Sequence, residues 1–393
     1  MLFKRLEDAD VRGKRVLLRE DLNAPMKNGA IADETRITAV LPTLRWLRER
    51  RARTVILSHR GRPDGKPDPK LSLRPIAVRL AELLGTPVEF VDDCIGAAAV
   101  AASNALADGG FVMFENVRFH PEDEANEPGF ARELARSGDM YVNDAFGTAH
   151  RAHASTAGVA AFLPSYAGLL MEAELAALTR LTEHPVHPYV CAIGGAKVVD
   201  KVGVFENLIA KVDAFTIGGG MANTFLAAQG IDVGRSLRDP DLLPAQRIIA
   251  LALSRGVTLH LPTDAVVADA FDADDSARVV PLARVGNGMI LDIGPQTAQE
   301  YAGVLRAAKT IVFNGPMGVY EKPAYQNGTR VIGEAIAEAT KHGAVSVVGG
   351  GDAAAAAHAL GFAGAMTHVS TGGGATLEFL EGQTLPGIAA LER

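Results

Sequence analysis

Short apolar runs alternate with helix-patterned stretches along the whole of this chain. That alternation constrains the fold most, because parallel strands need long crossover connections and those are usually helices. Thr38 to Arg50 sets Val40, Leu41, Leu44 and Leu47 at helical spacing, and Arg74 to Leu84 repeats the habit and stops at Gly85. After Asp352 the chain is almost all alanine up to Leu360, a strong helix former opening from a glycine loop. The pattern predicts an α/β fold with mainly parallel sheets covered by helices on both faces. With 393 residues the chain exceeds one ordinary core, so two domains are expected. Leu169 to Leu181 reads as an unbroken helix, and His184-Pro185-Val186-His187-Pro188 must stop it. The junction is placed there, giving a first domain over 1–170 and a second over 171–374 that begins with a stiff connector helix.

The net charge of −7 argues against a nucleic-acid partner, which selects basic chains. Met1-Leu2-Phe3-Lys4-Arg5 leads into acidic residues rather than an apolar signal core. The most apolar stretch, Ala157 to Met171, is interrupted by Pro164 and Ser165 and is too short to span a bilayer. The chain therefore reads as a soluble, cytoplasmic protein with no membrane partner. Its two cysteines, Cys94 and Cys191, show no disulfide or metal spacing and read as ordinary thiols.

In an open α/β sheet, ligands bind outside the carboxyl ends of the strands, so the residues that follow each apolar run matter most. In the first half these are charged or amide-bearing. Val16-Leu17-Leu18 leads to Arg19, Asp21 and Asn23; Val55-Ile56-Leu57 leads to His59 and Arg62. The run ending at Phe114 leads to Arg118, and the run ending at Val142 leads to His150, Arg151 and His153. With Arg36, these residues suit a small molecule bearing a phosphate, a carboxylate and a hydroxyl, since arginine forks match such oxygens bidentately. Any one exposed arginine is more often a solvated or ion-paired surface group. The same chemistry at four strand ends shifts that balance.

In the second half the runs stop at glycine: Gly194-Gly195, Gly218-Gly219-Gly220, Asn314-Gly315, Gly349-Gly350-Gly351 and Gly372-Gly373-Gly374. Glycine lets backbone approach phosphates and presents N–H groups at helix starts. A single such turn is also what any tight strand-to-helix connection uses. Lys197 and Lys201, four apart, are expected to share one face at a helix start beside those phosphates. Asp352 suits a helix N-cap, a magnesium ligand, or both. Gly349 to Ala354 superficially fits a dinucleotide fingerprint, but Val369 to Gly372 supply no acid for the ribose, and no Walker A loop is present. An oxidoreductase is thereby disfavoured. A non-enzymatic binding module would need only one ligand site.

The ordered series of motifs closely resembles the phosphoglycerate kinase family. It runs through Arg19-Glu20-Asp21-Leu22-Asn23-Ala24-Pro25, Ser58-His59-Arg60-Gly61-Arg62-Pro63, Glu115-Asn116-Val117-Arg118-Phe119-His120 and Asn143 to His153. It continues with Gly194-Gly195-Ala196-Lys197, Gly218 to Ala222, Asp292-Ile293-Gly294-Pro295, Asn314 to Gly318, Gly349 to Asp352 and Ser370 to Ala375. The resemblance implies two Rossmann-like domains facing each other across a cleft, in a monomer, with residues 375–393 returning to the first domain. It implies that Asp21, Asn23, Arg36, His59, Arg62, Arg118 and Arg151 bind 3-phosphoglycerate or 1,3-bisphosphoglycerate. Magnesium ADP or ATP would be held by Lys201, Asn314, Glu321, Gly350, Gly351, Asp352 and Ala353, with Asp352 toward the Mg2+. Both phosphoryl acceptors are already anions, so no general base is needed. Arg36, Lys197 and the backbone N–H groups of Gly372 and Gly373 are then assigned to the group in flight. Ala353 stands where the family commonly has Thr or Ser, Gln296 where Lys is frequent, and Glu20 and Arg60 replace apolar residues.

Overall fold

The computed structural model describes residues 3–27 and 29–392. Met1 and Leu2, which open the N-terminal reading above, lie outside them. The chain divides into two compact units, one running to Leu175 and resumed from Thr384, the other Ala176–Gln383.

The first unit is built on a six-stranded parallel sheet in the order Val88–Val91, Phe111–Phe114, Arg53–Leu57, Arg15–Arg19, Met140–Asn143, Ser165–Ala167. The central strands are buried almost throughout, as expected when helices cover both faces. One side is closed by the helices Leu41–Glu49 and Arg74–Leu84, whose Leu44, Leu47, Ile76 and Leu80 meet Val16, Leu18 and Ile56 in a single apolar core. Gly85 ends the second helix in the left-handed conformation at φ +62°.

The second unit carries another six-stranded parallel sheet, ordered Thr258–His260, Ala214–Ile217, Tyr189–Ile193, Thr310–Asn314, Val345–Val348, His368–Val369. Counted along the chain this is the order 3-2-1-4-5-6 of a doubly wound dinucleotide fold. Its switch point lies between Tyr189–Ile193 and Thr310–Asn314. The helices Pro295–Ala307 and Asn327–Lys341 pack together over Ile311, Phe313 and Val348. A three-stranded antiparallel sheet, Arg278–Pro281, Asp264–Ala268 and Met289–Ile293, had no counterpart in the sequence reading.

The boundaries fall a few residues from those expected at 170/171 and 374/375. The first lies inside the connector helix, which spans Leu169–Thr182. The second lies later because the helix Gly374–Leu380 packs on Val202–Leu208: Asn207 Nδ2 donates to Leu380 O at 2.7 Å. Only beyond Gln383 does the chain rejoin the first unit, where Gly387 N–H donates to Ala149 O at 2.8 Å and Gly387 O accepts from Asn143 Nδ2.

Candidate active site

Residues at the carboxyl ends of four neighbouring strands converge in the first unit. Arg19, fully buried at the end of Arg15–Arg19, donates from Nε to Ser155 Oγ at 3.1 Å and lies 3.2 Å from His59 Nδ1 through Nη2. A guanidinium only donates, so His59 accepts at Nδ1 and keeps its proton on Nε2. Burial holds this histidine well below its ordinary pKa, and the positive charges of Arg19, Arg118, Arg36 and Arg151 press the same way. The ring is thus a neutral donor among cations. Arg36 is clamped by the Asp21 carboxylate, its Nη1 2.9 Å from both oxygens. Gly61 is pinned on both sides: its N–H donates to Asn23 Oδ1 at 2.9 Å and its O accepts from Arg118 Nη1 at 3.1 Å.

Arg118 is buried, and its Nε–H has no hydrogen-bond acceptor, although Glu124 lies 3.4 Å away as an ion-pair partner. Burial, followed by the charge of Arg19, brings its pKa down to about 10. A buried donor without an acceptor costs free energy, which a ligand oxygen would recover. Arg151 Nε lies 3.2 Å from His150 Nε2. His153 sits 3.8 Å from Asp123, and burial lowers it to about 4. Asp21, Asn23, Arg36, His59, Arg118 and Arg151 are therefore joined by contact or by charge. Arg62 is exposed and makes no ion pair among the described residues.

Beside this cluster is a buried pair that strand-end patterning does not reveal. Glu20 and Asp144 are fully buried within hydrogen-bond reach of one another, yet neither Glu20 oxygen nor Asp144 Oδ2 meets a fixed donor. Asp144 Oδ1 accepts from Met171 N–H at 2.9 Å, tying the pair to the start of the connector helix. Burial raises the pKa of both carboxyls, and for Glu20 the neighbouring Asp144 raises it further. Two carboxyls in contact away from water satisfy each other by sharing a proton.

In the second unit, Lys201 reaches the switch point of the sheet. Its Nζ donates to Gly194 O at 2.7 Å and Asn314 O at 2.6 Å, bridging the ends of the two strands between which the order reverses. Burial lowers its pKa to about 8, opposed by Cys191 and then Asp352. Lys197 does not share its helix face. It lies exposed in the loop before the short turn Val199–Lys201, and the helix proper begins only at Val202. The loop keeps its path because Asp239 Oδ2 accepts from Val198 N–H at 2.8 Å.

Asn314 donates from Nδ2 to Gly349 O at 2.8 Å, while its Oδ1 is buried with no donor. Gly350 caps the helix Gly351–Ala359 at φ +97°, a conformation suited to glycine. Asp352 therefore lies in the first turn rather than at the cap, where its charge still opposes the helix dipole. Ala353 is buried. Gly373 caps Gly374–Leu380, but the Gly372 N–H is already taken by Ser370 Oγ at 3.1 Å.

Not every glycine turn is open to a ligand. A Cβ on Gly194 would fall 2.0 Å from Pro316 O, so that glycine is needed for backbone packing between turns. Gly351 and Gly373 instead face open space. Beside these turns lies a cavity of about 280 Å³, walled by Leu237, Met289, Leu291 and Val319 and edged by Glu321 and Asp352. Those apolar walls come from loops and the antiparallel sheet, so no strand-end pattern pointed to them. Glu321 and Asp352 are exposed carboxylates. One carboxylate completed by nucleotide phosphate oxygens is a donor set that Mg2+ accepts, so Asp352 fits the ion.

A parallel α/β unit with converging guanidiniums, and a doubly wound one with a lysine and glycine turns at its switch point, define a two-unit α/β phosphotransferase. The family profile described as phosphoglycerate kinase matches residues 6–383. A phosphoglycerate kinase of Chloroflexus aggregans is 52% identical over 394 residues, covering 99% of this chain and 98% of its own. That of Pelotomaculum thermopropionicum is 53% identical over 393 residues, covering 100% and 99%. Among solved structures, phosphoglycerate kinase from Coxiella burnetii superposes with a TM-score of 0.90 at 43% identity, covering 99% of both chains. The enzyme from Pyrococcus horikoshii gives 0.83 at 35% identity, covering 99% and 98%. The chain belongs to the phosphoglycerate kinase family, and it is a kinase.

Proposed function

We propose that the enzyme moves a phosphoryl group reversibly between 1,3-bisphosphoglycerate and ADP, yielding 3-phosphoglycerate and ATP, as a cytoplasmic monomer in glycolysis and gluconeogenesis. The observation that best supports this is the convergence of Arg36, Arg118 and Arg151 on a neutral His59. Charges of one sign gathered around a buried donor favour a small, multiply charged anion. The relatives' name supplies the identity of that anion.

In this reading the first unit binds phosphoglycerate through Asp21, Asn23, Arg36, His59, Arg62, Arg118 and Arg151. The second binds the nucleotide through Lys201, Asn314, Gly350, Gly351, Asp352 and Ala353. The base occupies the apolar cavity, and Glu321 meets the ribose. Asp352 would hold Mg2+, which would supply neutralisation of the phosphate charge. The attacking and leaving oxygens are already anionic, so catalysis consists of positioning and charge stabilisation. Arg36 and the exposed Lys197 serve the equatorial oxygens of the transferring group. Gly373 assists; Gly372 does so only if its N–H leaves Ser370. Since the two ligands belong to different units, turnover requires domain closure.

The test is a coupled assay with magnesium ATP and 3-phosphoglycerate, following NADH through glyceraldehyde-3-phosphate dehydrogenase. Turnover should depend on both substrates. Lys197→Ala should lower kcat by about 10²-fold or more with little change in KM. An unchanged kcat would remove Lys197 from the chemistry.

A further inference from the structure

We propose that Asp93, Cys94 and His120 form a site for a thiophilic divalent cation of the Zn2+ type, separate from the magnesium nucleotide site. Asp93 and Cys94 follow the strand Val88–Val91, and His120 follows the turn Val117–Phe119 beyond the neighbouring strand Phe111–Phe114. The adjacency of those two strands brings together residues 27 apart in sequence. One ligand atom from each residue lies within 4.8 Å of the others.

Asp93 and His120 are held in place by the contacts around them. The Asp93 carboxylate is oriented by the Cys94 N–H, which donates to Oδ1 at 2.7 Å. The His120 ring packs on Phe130 at a centroid distance of 5.1 Å, and its Nε2 lies 2.8 Å from Asp93 Oδ1. Cys94 is a free thiol, 1% exposed, and it borders a cavity of about 700 Å³ together with Asp93 and His120. That all three residues border one cavity, with the thiol free and buried among the described residues, is the second observation beyond the grouping itself.

The donor set decides the ion. Sulfur, nitrogen and oxygen together suit Zn2+ or Co2+, whereas Mg2+ and Ca2+ require oxygens alone. Side-chain rotations of about an ångström would bring the three atoms to bonds of about 2.0–2.3 Å. The ion would take the place of the proton between Asp93 and His120, which would pass to His120 Nδ1, and would displace the thiol proton to solvent. The cavity leaves the fourth position to water. Bound there, the ion ties two loops of the sheet edge together and stabilises the folded chain by mass action.

Co2+ titrated into the full-length protein provides the test. A thiolate-to-cobalt charge-transfer band with tetrahedral d–d absorption is expected, saturating at one ion per chain and displaced by Zn2+. Cys94→Ala should abolish the band and Cys191→Ala should keep it. His120 is partly exposed, so His120→Ala tests the site even if Cys94→Ala fails to fold; it should weaken Co2+ about tenfold or more and remove the Zn2+-induced rise in Tm. Absence of a charge-transfer band, or a band that survives Cys94→Ala, overturns the site.

Discussion

The Glu20–Asp144 pair makes a sharp demand on pH. A carboxyl whose folded pKa is raised stays protonated in the native chain at pH values where the unfolded chain has already lost its proton. Its contribution is therefore present at low pH and is lost as pH rises from the ordinary carboxylate range through the raised value. Glu20→Gln keeps a donor to Asp144 and removes the titration of Glu20, leaving that of Asp144. Between pH 5 and pH 8, denaturant unfolding should show the wild type losing roughly 1 kcal/mol or more beyond what Glu20→Gln loses. Parallel stability profiles would mean that no proton is shared. Lys201 makes the opposite demand. With its pKa near 8 in the free chain, it is partly neutral at pH 8.5, and an incoming phosphate should recharge it. Nucleotide binding at that pH should take up a fraction of a proton, measurable by titration calorimetry in buffers of different ionisation enthalpy. Lys201→Met should abolish the uptake.

At the scale of elements, the glycine turns separate into two kinds with opposite expectations. Gly194→Ala drives a Cβ into the Pro316 carbonyl and should cost about 3 kcal/mol or more in unfolding experiments, by overpacking and backbone displacement. Gly351→Ala meets open space at a helix start and should leave stability within about 0.5 kcal/mol. Under the proposed nucleotide site its effect should fall on nucleotide KM, because the added methyl would stand where the phosphates are proposed to approach. Sequence could not separate these two glycines, since both end an apolar run; only the path of the neighbouring turn decides. The parallel sheets were legible because strands buried on both faces read as unbroken apolar runs, as Val55 to Leu57 do. The antiparallel sheet was not, since the exposed Arg278–Pro281 strand lacks such a run. The basic cluster was legible by residue type, and its internal order was not. That Arg19 is a buried support while Arg62 stands free depends on burial, which strand-end chemistry does not encode. Asp93-Cys94 and His120 carried no spacing signal because adjacency of two strands, not sequence, places them together.

For the whole molecule, the proposed reaction requires motion between units joined by the Leu169–Thr182 helix, whose first turn is tied to Asp144. Small-angle scattering should show a smaller radius of gyration with both substrates bound than with either alone. An unchanged value in the ternary state would rule out closure. The return of the chain at Thr384 bears on how the protein is made. The strand residue Asn143 and the turn at Ala149 wait for Gly387, more than half the chain later. A ribosome therefore completes the second unit, Ala176–Gln383, before it delivers the segment that finishes the earlier one. During synthesis the first-made unit is the last to be sealed.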